Sequence, residues 1–134
     1  GQGPEDNYRD RNAGARRGIF KDTAANSVSR YLGPQECGNR TGIRWMKVTD
    51  GAGHSIRFTA QGRPFEGSVL PYTAEELEHA AHVEELPQPR YTVVTILAAM
   101  RGVGGDDSWG APVYPEYCVS GEHDITFSFV IGRD

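Results

Sequence analysis

The sequence predicts an all-β fold, an antiparallel β-sandwich with one short helix, over residues 1–134. Glycine and proline contribute 17 and 8 of the 134 residues, and this excess favours many short strands joined by turns over a helical bundle. Several segments alternate apolar and polar residues, which is typical of strands that bury one face. Helix-start signals are clear in one segment only. We therefore expect one domain, or part of one, built mostly from strands.

The first convincing strands form a predicted hairpin. Ile43 to Thr49 alternates in polarity, with Ile43 and Trp45 expected on one face. Asp50-Gly51-Ala52-Gly53 has the composition of a turn, and His54 to Ala60 is expected to return alongside the first strand. Phe65 to Leu70 is predicted as a further strand. The residues that precede this region are polar and show no clear periodicity.

A helix is predicted over Ala74 to Val83. Thr73 is expected to cap its first turn, and Glu76, three residues further on, completes a capping box. His79 and His82 lie three residues apart on this predicted helix, close to several glutamates. The pair could bind a metal ion, although no third ligand follows at a familiar spacing. A solvated acidic helix face, with one histidine hydrogen-bonded into the sandwich, explains the same pattern.

Two more strand regions follow the helix. Tyr91 to Met100 is rich in β-branched residues and is long enough for a buried central strand. Tyr117 to Val119 and Asp124 to Ile131 are predicted to close the fold as a hairpin around Ser120-Gly121.

Charge and hydropathy argue against several function classes. The formal net charge is −4 and no basic cluster is present, whereas a nucleic-acid partner requires a cationic face. No apolar run approaches the length of a membrane span, so we expect no membrane partner. Cys37 and Cys118 could pair, but two cysteines establish neither a disulfide framework nor a zinc site. The opening Gly1-Gln2-Gly3-Pro4 predicts that the chain is a piece of something longer.

The glycine-rich loop, residues 102–110, is the most informative stretch. Its glycines allow backbone angles that are closed to other residues, and its short polar side chains can bond nearby backbone amides and hold the turn. It carries one large aromatic residue, Trp109, beside two carboxylates, a combination that suits the apolar face and polar rim of a sugar. A surface turn whose tryptophan plugs the sandwich edge is the alternative. The residues expected to support the loop are Gly104, Gly105, Asp106, Asp107 and Ser108.

Candidate catalytic groups are sparse. Glu5, Asp6 and Asp10 are close in sequence and could supply a carboxylate pair for acid–base work, although a surface turn has the same composition. The side chains of Asp106 and Asp107 diverge because the residues are adjacent, so they make a poor catalytic pair. Their loop offers too few oxygen ligands to favour calcium. We assign no catalytic residue and no metal ligand to the chain.

Four groups of residues, in order along the chain, resemble one known region. They are Gly3 to Tyr8 with Asp10-Arg11, Pro34 to Arg40 with Arg44-Trp45, Pro71 to Leu77 with His79, His82 and Leu86-Pro87, and Gly102 to Trp109 with Val113, Pro115, Glu116 and Tyr117. The region that they resemble is the second half of the C-terminal domain of large bacterial β-galactosidases of glycoside hydrolase family 2, the LacZ type. The resemblance extends over nearly the whole chain and implies part of a galactose-mutarotase-like supersandwich.

The resemblance implies a specific division of labour. Members of that family hydrolyse terminal β-D-galactosides with retention, through one acid–base glutamate and one nucleophilic glutamate. Those glutamates, and sites for Mg and Na, lie on a barrel domain outside this chain, so no cofactor is expected in this segment. The C-terminal domain lends the substrate site a tryptophan, whose position matches Trp109. A cytoplasmic location, a homo-oligomer, and contacts with the barrel and other domains of the parent protein are implied in the same way.

Two alternatives and two departures accompany this interpretation. The chain could be a stand-alone carbohydrate-binding module, or a purely structural lid in which Trp109 packs inward. The family usually has Asn where this chain has Cys37, and Glu where it has Asp6. The change at Cys37 removes an amide that would bridge backbone groups in its turn. Neither departure falls in the glycine-rich loop.

Overall fold

Two three-stranded antiparallel sheets and a small two-stranded sheet make up the fold in the computed structural model, which describes residues 1–107 and 109–134. The strands are β1 (Gln2–Gly3), β2 (Arg16–Arg17), β3 (Arg40–Ile43), β4 (Trp45–Thr49), β5 (Ser55–Gln61), β6 (Phe65–Leu70), β7 (Val93–Leu97) and β8 (Ser128–Arg133). The sheets have the strand orders β3-β6-β7, β4-β5-β8 and β1-β2. The prediction of an all-β antiparallel sandwich with one short α-helix is confirmed.

The predicted hairpin forms between β4 and β5, in register from Trp45–Thr59 to Thr49–Ser55. Ile43 does not belong to it, because the chain passes from one sheet to the other at Arg44 and Ile43 pairs with Phe65 instead. The expected common face is therefore wrong: Ile43 is 5% exposed, whereas Trp45 is 38% exposed. A register irregularity in β3 redirects the strand, as bulges do.

The capping box at the start of the helix is confirmed. The amide of Glu76 donates to Thr73 Oγ1 at 3.1 Å, and the amide of Thr73 donates to Glu76 Oε2 at 2.8 Å. The helix, α1 (Ala74–His79), is shorter than predicted. The amide of Ala81 donates to the Glu85 side chain at 2.9 Å, and such side-chain acceptors compete with helical carbonyls. A 3-10 turn, Val83–Glu85, follows the helix.

The segment predicted as a central strand lies at a sheet edge. β7 is shorter than the predicted range Tyr91–Met100, and its side chains are all half-buried. The central strand of that sheet is β6. A Cβ at Gly67 of β6 would lie 2.3 Å from the carbonyl oxygen of Thr95, so the close approach of β7 requires glycine there. β-branched composition predicted a strand correctly, but it could not predict the neighbours of that strand.

The predicted closing hairpin does not form. Tyr117 ends a 3-10 turn that begins at Pro115, where the fixed φ angle and the missing N–H of proline favour a helical start. β8 pairs instead with β5, for example Ile131 with Phe58. The last strand therefore completes the sheet of the first hairpin, which places β5 at its centre.

The polar N-terminal segment supplies much of the core. Asn39 Nδ2 donates to the carbonyl of Asn7 at 3.0 Å, the amide of Asn7 donates to the carbonyl of Asn39 at 2.8 Å, and Asn7 Oδ1 accepts the amide of Thr41 at 3.1 Å. Hydrogen bonding of this kind is what allows asparagine to be buried. The largest fully buried side chains are Tyr8, Phe65, Asn7, Asn39 and Cys37.

The cysteines do not pair. Cys37 is buried against Leu70 and Leu77, while Cys118 is exposed, and both are free thiols. Cys37 thus acts as a small apolar residue, which replaces the bridging role expected of an amide at this position. Within the described ranges, no helix combines the length and the hydropathy that a membrane crossing requires.

Candidate functional site

The glycine-rich loop is closed at its base. The amide of Gly102 donates to the carbonyl of Tyr117 at 2.8 Å, so the chain leaves and re-enters the body of the fold at one place. Gly102 itself is buried there. Between these two residues the chain projects outward, and most of its described residues are exposed.

Both loop carboxylates bond to groups of the loop region itself. Asp107 Oδ1 accepts the amide of Trp109 at 2.8 Å and the amide of Ala111 at 3.3 Å. Asp106 accepts the hydroxyl of Tyr114, and this hydrogen bond, with the negative charge of Asp106, raises the pKa of Tyr114 above its ordinary value of 10.0. The two aspartates therefore fasten the turn around Trp109. Ser108, also expected to support the loop, lies outside the described residues.

Two loop glycines are required by the geometry. A Cβ at Gly105 would lie 2.8 Å from the carbonyl oxygen of Ala111, so the two sides of the turn approach too closely for a side chain. Gly110 has a φ of +102°, which L-residues rarely adopt. Glycine thus permits the close approach of the chain at Gly105 and the backbone angle at Gly110, which directly follows the tryptophan.

Trp109 is 92% exposed. A tryptophan that plugged the sandwich edge would be buried, so the structure contradicts that alternative and the inward-packed arrangement of a purely structural lid. A nearly fully exposed indole on a fastened turn is uncommon, because large aromatic side chains gain most by burial. Its role toward a sugar stays a prediction at this point.

Asp10 is the residue of this site that sequence reasoning missed. Its carboxylate reaches the loop from the N-terminal segment, with Oδ1 accepting the amide of Val103 at 3.2 Å and Oδ2 the amide of Gly104 at 2.7 Å. Asp6, which the sequence grouped with Asp10 and Glu5, accepts Ser29 Oγ at 2.8 Å instead. Asp10 is 93 and 94 residues away in sequence from Val103 and Gly104, so no local pattern in the sequence could have indicated these contacts.

His79 and His82, weighed above as a possible metal-binding pair, lie on different elements. The helix ends at His79, so His79 and His82 do not share a helical face. Both are exposed, and His82 Nδ1 lies 3.2 Å from Glu85 Oε1. Among residues 1–107 and 109–134, no group of three or more His, Cys, Asp or Glu side chains is arranged to hold a metal ion.

The glycine-rich loop lies apart from the cleft that the described residues form on the body of the fold. A cleft of about 860 Å³ lies between the segment that contains Phe20 and the strand that contains Trp45. None of the described residues that line it belongs to the glycine-rich loop. The residues of this cleft therefore do not form the surroundings of a ligand that contacts Trp109.

Comparison with known proteins identifies relatives along the whole chain. The family model described as beta galactosidase small chain matches residues 1–131. The Beta-galactosidase of Halalkalibacterium halodurans is 50% identical over 131 residues, which cover 98% of this chain and 13% of that protein. The Beta-galactosidase of Streptococcus thermophilus is 40% identical over 131 residues, with the same coverage of 98% and 13%.

A shorter relative is the Beta-galactosidase small subunit of Latilactobacillus sakei. It is 42% identical over 134 residues, which cover 92% of this chain and 42% of that subunit. The chain thus spans a small part of the long relatives and less than half of the short one.

Proposed function

This chain belongs to the β-galactosidase small chain family, and we propose that it is the C-terminal sandwich segment of a LacZ-type enzyme of glycoside hydrolase family 2. The parent protein removes terminal non-reducing β-D-galactose from β-galactosides, and this segment lends one aromatic side chain to an active site that other domains complete. The order of the matching motifs along the sequence supports the placement. The 50% identity to a protein named Beta-galactosidase supports the activity.

The exposed indole of Trp109 is the observation that carries the proposal. Galactose has an apolar face of C–H groups, and for an indole placed against that face we take the scale of an aromatic pair, about 0.5–1.5 kcal/mol beyond the area buried. Asp107 fixes the backbone amide of Trp109 at 2.8 Å, so the ring rises from a constrained position. The loop therefore presents a platform for a ligand, and other domains supply the remaining walls of the site.

The bond-breaking chemistry is proposed to lie outside this chain. Retaining glycosidases need two carboxyl groups about 5–5.5 Å apart across the glycosidic bond. Asp106 and Asp107 are instead bonded to Tyr114 and to the backbone beyond Asp107. The catalytic glutamates, and the Mg and Na of the parent enzyme, are accordingly assigned to its barrel domain, with which this segment is in contact. A cytoplasmic homo-oligomer without nucleic-acid or membrane partners remains part of the proposal.

Kinetics of Trp109→Ala in the assembled enzyme test the platform. Loss of stacking worth about 0.5–1.5 kcal/mol raises KM for a β-galactoside roughly 2- to 10-fold, and kcat falls less than KM rises. Trp45→Ala is the matched control, because Trp45 lies on a sheet with Arg57 over its ring at 4.8 Å and has no proposed ligand. Equal losses in kcat and kcat/KM, with KM unchanged, would argue against the platform.

A stand-alone carbohydrate-binding module is the second candidate, favoured by the same exposed ring. Titration of galactosides against the isolated chain separates the two. Binding tighter than millimolar supports a module, whereas absence of binding supports a site that needs other domains. The isolated chain is also expected to hydrolyse no chromogenic galactoside, and measurable turnover by the pure chain would refute the assignment of the catalytic groups to another domain.

A further inference from the structure

We propose that Asp10 is a positioning residue for Trp109, and that its carboxylate sets the orientation of the glycine-rich loop in which the platform stands. This inference rests on the proposed function. It assigns a role to a residue of the N-terminal segment that touches neither the ring nor, in the proposal, the substrate.

The carboxylate bridges two consecutive amides of the loop. Asp10 Oδ1 lies 3.2 Å from the nitrogen of Val103, and Oδ2 lies 2.7 Å from the nitrogen of Gly104. An ionised acceptor forms shorter and stronger hydrogen bonds than a neutral one. Two bonds from one rigid group fix both the position and the direction of the backbone between them.

The loop sequence is shaped to admit this carboxylate. A Cβ at Gly102 would lie 2.4 Å from Asp10 Oδ2 and 2.9 Å from the Cβ of Tyr117. A Cβ at Gly104 would lie 3.1 Å from the same oxygen. Any side chain at Gly102 would therefore expel the carboxylate from its place, so the glycines and Asp10 form one fitted contact.

The position set at Gly104 is transmitted along the turn to the indole. Gly105 follows directly and packs against Ala111, where a Cβ would lie 2.8 Å from the carbonyl oxygen. Asp107 then fixes the amide of Trp109. Without Asp10, the glycines at the start of the loop regain the backbone freedom that their missing side chains allow. The turn that carries Trp109 is then no longer held in one orientation relative to the rest of the fold.

The experiment uses the assembled enzyme with Asp10→Ala, Asp10→Asn and the double variant Asp10→Ala/Trp109→Ala. Asp10→Ala is expected to raise KM for a β-galactoside roughly 2- to 10-fold, up to the value for Trp109→Ala, while kcat changes less. Asp10→Asn retains one acceptor oxygen and gives a smaller rise. The double variant is expected to match Trp109→Ala alone, because residues that act as one unit are not additive.

Hydrogen exchange of the peptide that covers residues 102–111 provides a readout independent of activity. Exchange is expected to rise most in Asp10→Ala, where the amides of Val103 and Gly104 both lose their acceptor, and less in Asp10→Asn, which keeps one acceptor oxygen. Asp50→Asn is the matched control: Asp50 also accepts two backbone amides, those of Ala52 and His54 at 2.9 Å each, but in the β4–β5 turn. It should leave KM and the exchange of this peptide unchanged.

Unchanged KM in both Asp10 variants, or an additive rise in the double variant, would overturn the inference. If Asp10→Ala does not assemble, Asp10→Asn carries the same comparison in single and double form. The proposed function fails separately, when Trp109→Ala itself leaves KM unchanged. In that case increased exchange would still show that Asp10 holds the loop, and unchanged exchange would remove that role as well.

Discussion

The N-terminal segment, residues 1–43, and the β4–β5 hairpin form ordered structure in opposite ways. The segment has short strands and an irregular backbone, yet it contains Asn7, Tyr8 and Asn39, which are among the most buried residues described. The hairpin has five consecutive register pairs, yet every β4 side chain is half-buried or exposed. Between these two regions, regular pairing and deep burial are therefore separated.

Polar groups make the irregular segment a core. Asn7 Nδ2 donates to the carbonyls of Gln2 and Glu5 at 3.0 Å each, and Tyr8 donates its hydroxyl to Glu36 at 3.2 Å. Asn7 and Tyr8 thus replace the water they lose by partners within the chain. A network of this kind specifies one arrangement, because any shift leaves several groups unpaired at once.

The hairpin is organised by its surface chemistry. On one face, Arg57 lies over the ring of Trp45 at 4.8 Å and pairs with Asp134 at 2.8 Å. On the other face, the rings of Phe58 and Phe129 are 6.4 Å apart. Exposed pairs contribute little to stability, so we expect the hairpin to tolerate changes that the N-terminal segment does not.

Truncation of a buried aromatic residue gives the largest contrast. Tyr8 is 1% exposed, and Tyr8→Ala is expected to lower the free energy of unfolding by about 3–5 kcal/mol, as large-to-small changes of buried aromatic residues do. Phe58→Ala, in the half-buried hairpin, is expected to cost clearly less. Urea unfolding of the purified chain measures both, and a larger loss for Phe58→Ala would reverse the comparison.

Tyr8→Phe separates the ring from its hydroxyl. It keeps the packed volume and removes only the hydrogen bond to Glu36, so a loss of about 1 kcal/mol is expected. If Tyr8→Phe were as damaging as Tyr8→Ala, the hydrogen-bond network, and not packing, would dominate this part of the core.

Removal of a buried amide gives the next largest effect. Asn39 Nδ2 donates to the carbonyl of Asn7 at 3.0 Å and to Glu66 Oε2 at 3.1 Å, and Asn39→Ala leaves both acceptors without this donor. A loss of about 1–3 kcal/mol in the free energy of unfolding is expected. Thr59→Ala, at an exposed hairpin position, is the control and should stay within about 0.5 kcal/mol of the parent chain. Equal effects would show that the polar segment contributes no more than the surface of the hairpin.

The same contrast explains which features the sequence could predict. The hairpin and the capping box of Thr73 and Glu76 depend on residues a few positions apart, so composition and spacing were sufficient. The edge position of β7 and the burial of Asn39 depend on partners far along the chain. The contact of Asp10 with the glycine-rich loop is of this second kind. Glycines and a lone tryptophan indicated the loop, but nothing nearby in sequence indicated what fixes its base.

The smallest predicted effect is the change of folding stability with pH. Its sign is opposite for Glu36, in the N-terminal segment, and for Asp134, which pairs with the hairpin. Glu36 is exposed as a residue, but its carboxyl group lies against Tyr8. Partial desolvation there, reinforced by the negative charge of Asp6 and partly offset by the hydrogen bond from Tyr8, raises the pKa of Glu36 above its ordinary value of 4.5. The hydrogen bonds from Arg57 and Lys47 lower the pKa of Asp134 to about 2. The folded chain therefore holds the proton of Glu36 more tightly than the unfolded chain, and that of Asp134 less tightly.

The two signs lead to opposite pH profiles. As pH rises from 4.5 through the raised pKa of Glu36, the unfolded state releases its proton first and stability is lost. The contribution of Asp134 is present above its ordinary pKa of 3.8 and is lost as pH falls toward 2. Glu36→Gln removes the first effect and keeps an acceptor for Tyr8. The urea midpoint of Glu36→Gln should therefore exceed that of the parent chain by more at neutral pH than at pH 4. Glu84→Gln, on the exposed 3-10 turn, is the control, and its urea midpoint should equal that of the parent at each pH. Parallel profiles for Glu36→Gln and the parent would mean that the carboxylate of Glu36 reaches solvent when it ionises, and that the N-terminal core is less closed around Tyr8 than its burial indicates.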